Sequence, residues 1–174
     1  MPTFLRSRAL AAVVLLGALV VSMAGCRPSD YQFRVDDRMT ILEPASQSTV
    51  TAPFRISWEM EDFDPAGLDG SRSEDSGAYA VFVDRPPMKA GSDLRSLFDD
   101  DPACASDARC PDAATLAREN IYVTTKSKVR VRFLPLQGAG GPDLHTITIV
   151  LLDGSGSRIG ESSWYRTFTT EGDS

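Results

Sequence analysis

The sequence predicts an all-β domain of two packed antiparallel sheets. Three observations predict it. Short runs of alternating apolar and polar residues recur between residues 39 and 170. Gly, Pro, Asp and Ser bound those runs, and no long amphipathic helix interrupts them. Alternation at period two lets each strand bury one face in a shared core and wet the other. About seven short strands in roughly 130 residues suit a single sandwich.

Met39–Glu43 is the first predicted strand, ended by Pro44. Ala52–Met60 sets Phe54, Ile56 and Trp58 on one face and Arg55, Ser57 and Glu59 on the other. Ala78–Asp84 is apolar on both faces, as an inner strand is. Ile121–Thr125 is a short fourth run. Lys128–Leu134 turns Val129, Val131 and Phe133 inward and Lys128, Arg130 and Arg132 outward. Leu144–Leu152 carries the clearest pattern, with Ile147, Ile149 and Leu151 on one side. Asp153-Gly-Ser-Gly-Ser157 reads as a hairpin turn, and Arg158–Thr170 returns as the last strand.

Between these runs, the acidic, Gly- and Ser-rich stretch 61–75 predicts a flexible loop between the second and third strands. Residues 85–120 predict a long inserted loop, in which only Ala113–Glu119 has the pattern of a helical turn or two. Sandwich connections of that length are usually functional or disordered. Arg85-Pro-Pro-Met88 opens the insertion with a stiff extended piece, because proline fixes φ.

The N-terminus has a different character. Met1–Arg8 carries Arg6 and Arg8 and no acid, Ala9–Val21 is unbroken small and apolar sequence, and Ser22-Met-Ala-Gly-Cys26 follows. This order makes a secretory signal peptide over residues 1–25. The apolar run is shorter than the roughly 18 to 20 residues of a spanning helix. Met23-Ala24-Gly25-Cys26 resembles the lipobox of bacterial lipoproteins, with Met23 where that family usually has Leu. The resemblance implies diacylation of the Cys26 thiol and cleavage just before it. Residues 26–38 then form a lipidated tether, residues 39–170 the sandwich and residues 171–174 a short tail. Two acyl chains hold a protein on a membrane where one does not. The expected location is the extracytoplasmic side of a cell membrane, with membrane lipid as the first partner. The alternative is an ordinary cleaved signal peptide whose Cys26 pairs elsewhere.

The formal net charge is −6, and losing Arg6 and Arg8 with residues 1–25 makes it −8. That balance argues against nucleic acid as a partner, since phosphate contact needs clustered Lys and Arg. It argues equally against docking the protein surface on anionic headgroups. With Cys26 lipidated, Cys104 and Cys110 remain. Pairing is the default outside the cell, and so short a loop contributes about 2 kcal/mol. A zinc site wants four ligands and the chain has one histidine; a redox motif wants Cys-x-x-Cys.

Catalytic chemistry is not written in the sequence. The insertion holds Asp93, Asp99, Asp100, Asp101, Asp107 and Asp112, but without EF-hand spacing they read as solvated surface acid. His145, the single histidine, starts a strand and is expected to face solvent. No metal and no cofactor is expected. Lys128, Arg130 and Arg132 form a basic stripe that either docks an acidic partner or pairs with acids on a neighbouring strand.

Pro53-Phe-Arg-Ile-Ser-Trp-Glu59 resembles the second strand of fibronectin type III and other immunoglobulin-like domains, where a Trp plugs the core. Tyr79-Ala-Val-Phe-Val83 is similar to the third strand, and Leu144–Gly154 with Phe168-Thr-Thr170 to the final hairpin. The resemblance implies a single immunoglobulin-like antiparallel β-sandwich with the 85–120 insertion. The expected function is an envelope lipoprotein acting as a binding or interaction module, presenting the insertion to an envelope protein or cell-wall partner. The alternatives are an accessory subunit or enzyme acting on cell-wall or extracellular substrate, and a purely structural envelope protein.

Overall fold

Eight strands divide between two sheets in a computed structural model that describes residues 36–107, 109–134 and 143–171. Cys26, the predicted signal peptide, the tether as far as residue 35 and residues 172–174 lie outside the described residues. The strands are β1 (Met39–Glu43), β2 (Thr49–Val50), β3 (Phe54–Met60), β4 (Gly77–Val83), β5 (Ile121–Thr124), β6 (Lys128–Val131), β7 (Asp143–Asp153) and β8 (Trp164–Thr170). One sheet has the order β1-β3-β6 and the other β2-β8-β7-β4-β5. The pairs are antiparallel with one exception: the short β2, absent from the sequence reading, runs parallel to β8.

The two inner faces make the main core. Ile56 and Trp58 of β3 meet Tyr79 and Val81 of β4, Ile147, Ile149 and Leu151 of β7, and Phe168 of β8. Trp58 packs edge-on against Tyr79 at 5.1 Å, and Phe54 tilts against Phe168 at 5.2 Å between centroids. Side chains of this size each contribute about 1.5–3 kcal/mol through burial. The β1/β8 side is closed by polar links: Arg166 donates to the carbonyl of Ile41 at 2.7 Å, and the Trp164 indole donates to that of Asp36 at 2.7 Å.

The apolar outer face of β4 and β7 has its own cover. The insertion forms a 3₁₀ helix (Leu94–Phe98) and two short helices, α1 (Pro102–Ala105) and α2 (Ala113–Arg118). Met88, Leu94, Phe98, Cys104 and Leu116 pack down on Ala80, Phe82, Val150 and Leu152, forming a second core. The insertion is thus anchored on the sheet by its apolar residues. The outer face of the sheet is too apolar to stay wet, and the insertion covers it. Cys104 and Cys110 are joined by a disulfide, with Cα atoms 5.0 Å apart. Arg95 spans the same turn, donating to the carbonyls of Cys104, Asp107 and Cys110 at 3.0 to 3.2 Å.

Three of the insertion's aspartates do more than carry solvated charge. Asp93, Asp101 and Asp112 cap the three helices by accepting from the N–H groups of Ser96, Ala103 and Thr115 at 2.9, 2.9 and 2.7 Å. Asp84 and Asn120, both with left-handed φ near 55°, turn the chain out of β4 and into β5. Both residue types tolerate that region. The 61–75 stretch is also pinned, by Phe63 against Tyr79 and by exchange of backbone bonds between Asp64 and residues 75 and 77.

Candidate functional site: a cationic groove on the open side of the sandwich

Opposite the sealed β1/β8 side, β5 and β6 are the outer strands of their sheets. Between them lies a groove of about 540 Å³ lined by Ala117, Arg118, Asn120, Tyr122, Arg130, Arg132 and Phe133. Each wall has a local cause. The C-terminal end of α2 brings Arg118 and, through the left-handed turn, Asn120. β5 contributes Tyr122 and β6 contributes Arg130. The alternation of β6 then breaks: Val131 is buried, Arg132 and Phe133 are both exposed, and Leu134 is buried. Leu134 takes the core position expected for Phe133, so the phenyl ring is 72% exposed on the groove. The inward placement of Phe133 is thereby corrected.

The basic stripe finds no acid directly across the strand pair. Arg130 lies opposite Arg55 and Lys128 opposite Ser57, so the cross-strand neighbours supply no acid. Among the described residues no ion pair engages Arg55, Lys128, Arg130 or Arg132. The acid beside the groove, Glu119, is already held by Arg85 at 2.9 Å. Burial pushes the Tyr122 phenol above its usual value, so at neutral pH it is a neutral hydroxyl. Three guanidiniums, an amide, a phenol and an exposed phenyl ring thus converge on one cleft. Guanidiniums present fork-shaped donors matched to carboxylates and phosphates.

No family model matches this chain, and no curated protein or solved structure is significantly similar to it. The site must therefore be read from its own geometry.

Two other clusters fall outside the groove. His145 is buried at 1% exposure, correcting the solvent-facing expectation. Its Nδ1 lies 2.7 Å from Oδ2 of Asp84 and its Nε2 2.9 Å from Oγ1 of Thr170, while the ring stacks on Phe168 at 5.4 Å. An acid, an imidazole and a hydroxyl in line have the order of a proton relay. Here the ring is sunk in the sandwich and all three groups are consumed in fastening β4, β7 and β8 together. Sequence signals could not have found it, because Asp84 and Thr170 stand far from His145 along the chain. Arg158 is the second cluster. It donates to the carbonyls of Met88, Glu161 and Ser162 and borders a smaller cleft of about 460 Å³ with Arg72, Asp153 and Ser157. Burial lowers the affinity of its guanidinium for the proton, with Glu161 opposing. Among the described residues no three His, Cys, Asp or Glu side chains are grouped to hold a metal ion.

Proposed function

We propose that this chain is an extracytoplasmic lipoprotein whose sandwich is of the immunoglobulin-like type and serves as a binding module for an acidic envelope partner. The anchoring part of the reading is supported by the Arg-rich start, the apolar run and Met23-Ala24-Gly25-Cys26. The immunoglobulin-like part is supported by the strand partition. β3 sits between β1 and β6, and β7 sits between β8 and β4, as B lies between A and E, and F between G and C. In this scheme the insertion joins C to the next strand, β5.

The observation that carries the binding function is the groove: Arg118, Arg130 and Arg132 are exposed beside Phe133, and among the described residues none of the three is held in an ion pair. On a chain of net negative charge, clustered cations outside ion pairs favour encounter with an acidic surface. The contact surface therefore moves from the insertion, as first expected, to the β5/β6 side.

Two measurements test this. Mass spectrometry of the protein from bacterial membranes should show residues 1–25 absent and residue 26 acylated; a mature form with free Cys26 sinks the anchor. Polyglutamate should bind the mature chain in low salt and release it in high salt. The R130E/R132E variant should lose that binding by about tenfold or more while melting at the same temperature. Equal binding by the variant sinks the groove as the contact surface.

A further inference from the structure

We propose that the partner of the groove is an extended acidic polypeptide segment that joins the β6 edge as an added strand. This deepens the binding-module reading and rests on it.

The first observation is topological. Among the described residues β6 is the last strand of the β1-β3-β6 sheet, paired to β3 on one side only. An edge strand turns alternate N–H and C=O groups outward, a template for another extended chain. The second is electrostatic. Lys128 and Arg130 point to solvent from this strand and Arg132 follows it, so a second copy of β6 laid alongside would set like charges against each other. The charges that repel a second copy attract an acidic strand. The third is the pleat. An added strand places every second residue beside Lys128, Arg130 and Arg132, and the alternate residues toward the side of Val129 and Val131, near the Tyr122 wall. The partner this selects alternates acidic and apolar residues. Phe133, exposed at the end of β6, offers an apolar stop for the last of them. β5 borders the same groove but contributes no cation to it, so the register-setting charges favour β6.

Screening the lipid-free mature chain against a displayed library of short peptides, followed by titration of the selected sequences, is the test. Selected peptides should carry acids at alternate positions, and on binding the amides of residues 128–132 should exchange more slowly with solvent. N-methylation of one of the two alternate sets of peptide nitrogens should weaken binding about tenfold or more at unchanged charge, because it removes main-chain donors. The milder R130Q/R132Q variant should also bind less tightly. Acid-rich peptides indifferent to methylation of either set would overturn strand addition while leaving the acidic-partner reading standing. Selection of peptides without acids, or binding confined to phosphatidylglycerol vesicles, would overturn both. Failure to select any peptide while polyglutamate still binds through Arg130 and Arg132 would overturn strand addition alone.

Discussion

Asp84 and His145 are partners across two strands: Oδ2 of the carboxylate lies 2.7 Å from the imidazole Nδ1. The other oxygen, Oδ1, accepts from the N–H of Thr146 at 2.9 Å. One side chain at the end of β4 thus satisfies two groups of β7, and His145 passes the connection to Thr170 of β8. Asp84→Ala should leave a buried imidazole nitrogen and a backbone N–H without partners. The expected loss of unfolding free energy is about 2–4 kcal/mol. Urea denaturation measures it, and Asp84→Asn, which keeps an acceptor for one of the two, should lose less. An unchanged midpoint for both variants would show that this link carries no stability.

A second prediction concerns acid. The Arg38 guanidinium chelates the Asp36 carboxylate at 2.8 and 3.0 Å and holds its pKa down to about 2, from an ordinary 3.8. A carboxylate with a depressed folded-state pKa adds stability that is present above about pH 4 and lost as pH falls toward 2. Both side chains are partly wet, so screening limits the effect to roughly 1 kcal/mol. Asp36→Asn should lower the melting temperature slightly at pH 6 and by much less near pH 2, where about half of the carboxylates are protonated. A difference that persists unchanged at pH 2 would rule out the ionic cause.

The insertion makes a third. Phe82 points away from the main core and is covered by the insertion's apolar residues. Phe82→Ala should cost about 3–5 kcal/mol through the cavity it opens. Hydrogen exchange should quicken first in residues 94–118, which rest on that ring, and later in β3. If β3 and the insertion lose protection together, the two cores are a single unit.

Much of the sandwich was legible because each strand's pattern is local. Phe54, Ile56 and Trp58, or Ile147, Ile149 and Leu151, declare their face within one run of sequence, and all six are in the main core. The apolar second face of β4 was legible too, and its cover is the insertion. What escaped depends on distant partners. Nothing near β2 announces a two-residue pairing with a strand more than a hundred residues away. Phe133 followed the period-two rule on paper, but the chain spends one extra residue before Leu134, a break invisible in composition. The stripe of Lys128, Arg130 and Arg132, whose two arginines line the groove, was legible as a stripe. That Arg118 and Tyr122 join it from the other sheet edge was not, because α2 and β5 had first to be placed in space.

The insertion also lengthens one closure of the sandwich. β4 and β5 pair directly, Tyr79 with Thr124 through Phe82 with Ile121, yet residues 84–120 separate them. Closing a loop of that length costs about 2 kcal/mol more entropy than closing a tight hairpin. The capped helices, the disulfide and Arg95 shorten the effective search by compacting the loop from within. β4 and β7 pair across a longer stretch of chain still, from Gly77 with Asp153 to Val83 with Ile147. The groove needs β5 for one wall and β6 for the other, and residues 125–127 alone join them, so one short crossing tethers the two sheets at the edge that borders the groove.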